Sequence, residues 1–275
     1  MTALVLPWLG MHTTRIRMRI LWIGAHPDDE LFVSGWLAHL RLSEAAEIGL
    51  LFATRGERGG WKLPGDRPLD IGTMREHETL QAATELDATV RFAGCRDGAA
   101  SEPEGVLRAW AEDAGGMNAL RHRFAALVMS FAPDRIVTFD RHHGCTWHAD
   151  HRAVGTLVQS LRLPIPVTLV ESRLAFDEPL RIVSADRRAI RFDARATWEY
   201  VVRNVERHPS QFGPETVSLF RDAPDDARVV WLLDVGCWRW WHYLRDNLVR
   251  SWSRLKSFIR DRTFARRIPP GASDV

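Results

Sequence analysis

The feature that most constrains this fold is an alternation of short apolar runs with longer helical periods across residues 19–170. Arg19–Ala25 (RILWIGA) is almost wholly apolar and ends in a turn. A run this short without polar alternation reads as a strand covered on both faces, the habit of parallel sheets. Ile48–Ala53, Thr89–Ala93, Arg135–Phe139 and Pro166–Val170 read as four further strands. Helical periods fill the intervals: Asp29–Leu42, Ile71–Leu86, Glu104–Phe131 broken at Gly115–Gly116, and His148–Leu161. In Ile71–Leu86 the residues expected to face inward are Met74, Leu80, Ala83 and Leu86. The alternation predicts an α/β fold with a Rossmann-like, doubly wound, mostly parallel sheet.

After Glu171 the rhythm changes. Arg181–Val183, Ala189–Phe192 and Val229–Leu233 read as short antiparallel strands and Ala194–Arg207 as one helix, a small C-terminal β/α appendage. The expected organisation is an extra N-terminal segment over 1–18, a catalytic core over 19–171, an appendage over 172–234 that completes the substrate cleft, and a basic, Trp-rich helix and tail over 235–275. Met1–Gly10 is apolar but short, and Arg15, Arg17 and Arg19 follow it, the reverse of a signal peptide. Met18 is therefore expected as the start.

Composition excludes several classes. With 45% hydrophobic and 26% charged residues, the chain is neither disordered, collagen-like nor a coiled-coil rod. A net charge of +2 gives no electrostatic footprint for nucleic acid. Cys95, Cys145 and Cys237 are too widely spaced for a disulfide ladder or a CxxC pair, which fits a reducing cytoplasm. No apolar run reaches the roughly 18 residues that span a bilayer.

Chemistry concentrates after two strands. Ala25-His26-Pro27-Asp28-Asp29-Glu30 follows the first, at the carboxyl end where open α/β sheets bind ligands. A helix cap would explain Asp28 or Asp29, but a cap needs no His and no further acids. The fourth strand is followed by Asp140-Arg141-His142-His143-Gly144-Cys145-Thr146-Trp147-His148-Ala149-Asp150-His151, with four His in ten residues. His148 and His151, three apart at a helix start, share one face. Catalytic zinc takes three His or carboxylate ligands and keeps one position for water. His26 and Asp29 from one loop and a His from the other would fill that set. Asp28 is then left to remove a proton, and the other His to donate one or bind an oxyanion.

Other motifs fail. His77-Glu78 begins an HExxH, but its fifth position is Gln81. There is no GxGxxG, no phosphate loop and no GxSxG elbow, and Gly56–Gly60 reads as a flexible cleft wall. His12, His39, His122, His208 and His242 stand alone and read as surface or ordinary core residues.

AHPDDE after the first strand paired with HADH after the fourth resembles the PIG-L/LmbE-like family of zinc-dependent N-deacetylases, over about Met18–Leu161. Thr54-Arg55-Gly56-Glu57, Arg75-Glu76 with Ala82–Leu86, and Asp97-Gly98 add weaker matches. The resemblance implies that His26, Asp29 and His151 hold zinc, that Asp28 is the general base, and that His148 stabilises the oxyanion and protonates the leaving amine. It implies sugar contacts from Arg75 and Asp97. Asp150 is expected to orient a His from outside the ligand set. Two departures bear on the substrate: Glu85-Leu86-Asp87 replaces the family's usual Leu-Gly, and Trp147 stands where a small residue is common and would narrow the pocket.

The expected function is removal of acetyl from an N-acetylglucosamine-type conjugate, with Zn2+ or Fe2+ as cofactor. The alternatives are an amidase for another N-acyl group and a non-enzymatic sugar- or lipid-binding module. The charge average also conceals a split. Residues 235–275 carry nine basic and three acidic side chains, a balance of +6 that leaves −4 for the rest. Leu244, Leu248, Val249, Trp252, Leu255 and Ile259 share a helical face there. One expectation is a helix docked on the domain. The other is an interfacial helix touching anionic lipid at the inner membrane face, with Trp238, Trp240 and Trp241 at headgroup level, which would suit a lipid-linked sugar.

Overall fold

A computed structural model describes residues 17–235, apart from 177 and 185. The segment before Arg17 and the expected interfacial helix lie outside the described residues. Five strands run parallel: β1 (Arg19–Gly24), β2 (Glu47–Phe52), β3 (Thr89–Phe92), β4 (Arg135–Phe139) and β5 (Val167–Val170). Their order across the sheet is β3-β2-β1-β4-β5. The apolar runs that make β1, β2, β4 and β5 are buried almost throughout, while the edge strand β3 alternates exposed and half-buried residues.

The antiparallel strands after Glu171 divide between two sheets. β6 (Arg173–Ala175) and β7 (Arg181–Val183) form a separate two-stranded ribbon. β8 (Ile190–Asp193) and β9 (Val229–Asp234) instead extend the parallel sheet, β9 pairing antiparallel with β5 and β8 with β9. Burial of Val229, Val230, Leu232 and Leu233 explains the capture of β9: this strand has apolar residues for both faces and needs a covered position.

The helices are α1 (Ser34–Glu44), α2 (Ile71–Thr84), α3 (Pro103–Ala114), α4 (Met117–Phe131), α5 (Ala149–Ser160), α6 (Trp198–Glu206) and α7 (Pro214–Arg221). α3 and α4 part at Gly115–Gly116, as expected. α1 packs on α6, and α3 on α4 and α5. Two expectations fail. The segment from Asp29 is a 3-10 turn over Asp29–Phe32, with Val33 non-helical before α1, rather than one helix. In α2, Leu80 is 51% exposed, whereas Arg75, Glu78 and Thr79 are buried. Ala83 and Leu86 are buried as expected, but the apolar-stripe rule misses that α2 also covers a polar site whose groups are satisfied by hydrogen bonds. α7 was not anticipated. No helix among the described residues is long and apolar enough to cross a membrane.

Candidate active site

Strand order reverses between β1 and β4, so their connections part and leave a crevice at the carboxyl ends. The 26–33 turn and the 140–151 loop both enter it. A cavity of about 270 Å³ lies there, lined by His26, Asp28, Asp29, His148 and His151, by Arg58, Arg75 and Asp97, and by Phe176, Gln211 and Phe212, among others.

Asp29 does not cap a helix. Its Oδ2 accepts the backbone N–H of Ala25 at 2.7 Å and of His26 at 2.8 Å, folding the chain back on itself. The tight turn places Asp28 at φ 98°, ψ −19°. A residue with a Cβ pays about 1–3 kcal/mol for such a conformation, and strain of this kind gathers at functional sites.

Two imidazoles meet Asp29. His151 Nε2 is 3.0 Å from its Oδ1, and His26 Nδ1 is 3.7 Å from its Oδ2. Their outer nitrogens are engaged. His151 Nδ1 is 2.8 Å from the Gly144 carbonyl, and His26 Nε2 is 3.1 Å from both Asp97 and Asp150. Carbonyl and carboxylate oxygens only accept, so in the neutral rings the outer nitrogens carry hydrogen and the inner ones present lone pairs towards Asp29. Two such nitrogens and a carboxylate suit zinc or ferrous iron. Phe139 at the end of β4 stacks on the His151 ring, with centroids 4.3 Å apart.

Electrostatics favour a cation here. Burial opposes charge on His26, but Asp150, Asp29 and Asp97 outweigh it and hold its pKa well above the usual value. Burial likewise opposes the Asp29 anion, and His151 and His26 reverse this, keeping the carboxyl well below its usual range. Asp97 is lowered too, His26 and the Arg58 N–H overcoming burial.

His148 is different. It is the N-cap of α5, and its Nδ1 accepts the Asp150 N–H at 3.2 Å, so the neutral ring carries its hydrogen on Nε2. Burial, with the neighbouring His26 and His151 charges, pushes its pKa down to about 4, so it is a neutral donor at pH 7. The three rings nonetheless crowd together, with nitrogens of His26, His148 and His151 within 4.8 Å of one another. Asp28 lies beside the cluster. Burial raises its pKa to about 6 against the opposing charge of Arg75, whose guanidinium is 2.9 Å from Oδ2.

Arg75 and Asp97 line the cavity, but their polar atoms face the protein. Arg75 also donates to Pro27 O and Gly56 O. A Cβ at Gly56 (φ 69°) would sit 2.1 Å from the Arg75 guanidinium, so glycine is required there. Asp97 is held by His26 and by the Arg58 N–H at 2.7 Å. Asp150 Oδ2 accepts from Gly98 N–H at 2.9 Å besides meeting His26. Trp147 does not narrow the pocket. Its ring is 62% exposed and stands edge-on to His143 at 4.7 Å, outside the cavity lining.

Another grouping that could hold an ion, Asp140, His143 and Glu171, lies beyond the His26–His148–His151 cluster. Asp140 accepts N–H bonds from His142, His143 and Gly144, which shapes the loop carrying the Gly144 carbonyl. The Arg173 guanidinium stands 2.7 Å from His143, so a cation already occupies that neighbourhood.

Sequence reading missed Glu30, Glu78, Asn204 and His208, a buried polar set behind the 26–33 turn. The third acid of AHPDDE was the available signal for Glu30. A lone His 178 positions away from it carries none.

A sequence profile of the family PIG-L: GlcNAc-PI de-N-acetylase matches residues 21–161. The chain belongs to this family. Among PIG-L relatives, it is 32% identical over 150 residues to the 1D-myo-inositol 2-acetamido-2-deoxy-alpha-D-glucopyranoside deacetylase of Kineococcus radiotolerans, covering 48% of this chain and 41% of that protein. It is 31% identical over 203 residues to the enzyme of that name from Nakamurella multipartita, 66% of each chain. The match spans only 41 to 50% of the length of the Kineococcus relative and its Thermobifida fusca counterpart. The fold is also that of GalB, the 4-carboxy-2-hydroxymuconate hydratase from Pseudomonas putida KT2440 (TM-score 0.57, 17% identity, 79% of this chain and 96% of that one). The N,N'-diacetylchitobiose deacetylase from Pyrococcus horikoshii shares it as well (TM-score 0.53, 16% identity, 76% and 74%). A hydratase and a deacetylase on one fold mean that the reaction must be argued from site residues.

Proposed function

We propose that this PIG-L member is a metal-dependent hydrolase that removes the acetyl group from an N-acetylglucosamine-type small-molecule conjugate. The observation that carries the reading is the placement of Asp28 and His148 beside the His26–Asp29–His151 cluster, in one cavity. The names of the sequence relatives support the substrate class.

In this reading His26 Nδ1, Asp29 and His151 Nε2 hold zinc or ferrous iron. The ion, when bound, supplies Lewis acidity for the amide carbonyl and for water. Asp28, ionised above about pH 6, takes a proton from the attacking water. His148 Nε2–H donates to the carbonyl oxygen as negative charge develops there. The proton taken up by Asp28 balances the one the departing amine needs. Arg75 holds the Asp28 carboxylate at 2.9 Å, and Asp150 and Asp97 fix the His26 ring. A strained backbone at Asp28 and a raised carboxyl pKa favour catalysis over simple sugar binding, which needs neither.

Metal analysis combined with acetate release from a panel of N-acetyl sugars tests the proposal. Asp28→Asn should retain metal and lose about 10²–10⁴-fold in turnover, and His151→Ala should lose metal. Full activity in Asp28→Asn, or a protein that cannot be loaded with metal, sinks it. Release of a different acyl group would select the amidase alternative. The basic, Trp-rich residues 235–275 support a lipid-linked form of the substrate. Equal liposome binding with and without them would remove that extension.

A further inference from the structure

Behind the Asp28 turn lies a polar group that the proposed mechanism does not use. Glu30 is 1% exposed and spends both carboxylate oxygens. Oε2 accepts the backbone N–H of Asp28 at 3.1 Å. Oε1 accepts from Asn204 Nδ2 at 3.0 Å and lies 2.8 Å from His208 Nε2. Asn204 and His208 are buried as well, and neither lies within the 21–161 stretch that matches the family. His208 Nδ1 faces Glu78 at 3.9 Å, and Glu78 is fastened to Ser210 by the backbone N–H at 2.9 Å and the hydroxyl at 2.6 Å.

A left-handed aspartate persists only if its surroundings over-determine it. Three contacts do so here. Asp29 folds the chain, Arg75 ties Pro27 O and the Asp28 carboxylate, and Glu30 claims the Asp28 N–H. The third depends on a carboxylate that is itself held by α6 and the turn following it. We infer that Glu30, Asn204 and His208 are positioning residues that hold Asp28 in its left-handed conformation, so that Asn204 and His208, far outside the family motif, help set the geometry of the base through the motif's Glu30. This inference rests on the proposed hydrolase reading.

Chemistry explains why a carboxylate is needed. Its two oxygens accept on opposite sides, from the Asp28 N–H and from the Asn204 and His208 donors. A Gln at position 30 has one oxygen and one NH2, so one side would set donor against donor. The metal-binding atoms of His26, Asp29 and His151 are untouched by that change.

The test compares Glu30→Gln and His208→Gln with the wild-type metal-loaded protein. Metal content, KM and kcat are measured with an N-acetyl sugar, and melting temperature controls for folding. The expected result for Glu30→Gln is full metal content, KM within about twofold and kcat lower by at least tenfold. His208→Gln, which can still donate to Glu30, should lose less. Unchanged kcat in folded Glu30→Gln overturns the inference. So does loss of metal, which would place the network's effect on Asp29. If the wild type releases acetate from no substrate, the hydrolase reading fails separately. A crystal structure of Glu30→Gln then decides the positioning: Asp28 leaving the left-handed region supports it, and an unchanged φ overturns it.

Discussion

Arg75 meets the Asp28 carboxylate at 2.9 Å from a position only 3% exposed to solvent. The pairing restrains a carboxyl that burial raises to about 6. Removing the cation should raise it further, and a base is useful only when ionised. In Arg75→Met the acid limb of the kcat/KM profile should therefore move to higher pH. The activity deficit would be larger at pH 6 than at pH 8. Parallel profiles of wild type and variant would show that this pair does not set the limb.

Asp150 is fully buried and reaches His26 from outside the ligand set, 3.1 Å from Nε2. An acceptor there fixes which nitrogen of the ring carries hydrogen. Asp150→Asn should weaken metal binding by about 10–100-fold. Competition against a chelator of known affinity measures this. Unaltered affinity would transfer the role to Asp97, which stands at the same distance.

How much of this was legible beforehand differs by element. The central strands announced themselves because a strand covered on both faces is dominated by apolar residues, as the all-apolar Ile20–Ile23 of β1 shows. The two loops that meet in the cavity were legible because β1 and β4 are followed by dense runs of His and Asp. The turn at Asp28 was not, since it arises from Asp29 folding back on Ala25 and His26, a contact that helical spacing does not encode. The inward face of α2 was read only in part, at Ala83 and Leu86, because Arg75 and Glu78 are polar groups buried with partners from distant segments. His208 escaped for the same reason: its partner is remote in sequence. Tertiary hydrogen bonds of this kind leave no local pattern.

The His208–Glu30 pair also predicts a pH dependence of stability. Burial opposes charge on His208, but Glu30, with Asp28 and Glu78, outweighs it and raises its pKa. A group raised on folding stabilises fully below its unfolded pKa of about 6.5, and this contribution is lost as pH climbs through the folded value. His208→Gln should therefore cost more stability at pH 6 than at pH 9, as read by denaturant unfolding. A gap that is constant with pH would mean that folding does not shift the His208 pKa.

Gly155 lets α5 rest against the end of β4. A Cβ there would lie 2.5 Å from the Phe139 carbonyl oxygen, a backbone atom that cannot swing aside. Gly155→Ala should cost about 1–3 kcal/mol of stability. It should also weaken metal binding, because His151 is one turn away on the same helix. Thermal melting and metal titration of the variant check both effects; wild-type values in the two would show that the helix shifts freely.

The turn after α6 has a consequence for how this protein can diversify. The His208 carbonyl accepts the backbone N–H of both Gln211 and Phe212, at 3.0 Å each, and those two residues form part of the cavity wall. The segment that shapes the opening for an incoming molecule thus hangs from the residue that braces the Asp28 turn. Remodelling the wall to admit a new ligand would pull on the contacts that hold the Asp28 turn, so under the proposed hydrolase reading selectivity and rate are inherited together. Grafting residues 21–161 onto a foreign C-terminal part would carry over His26, Asp29 and His151 and leave behind Asn204 and His208, the partners of the Glu30 carboxylate that accepts the Asp28 N–H.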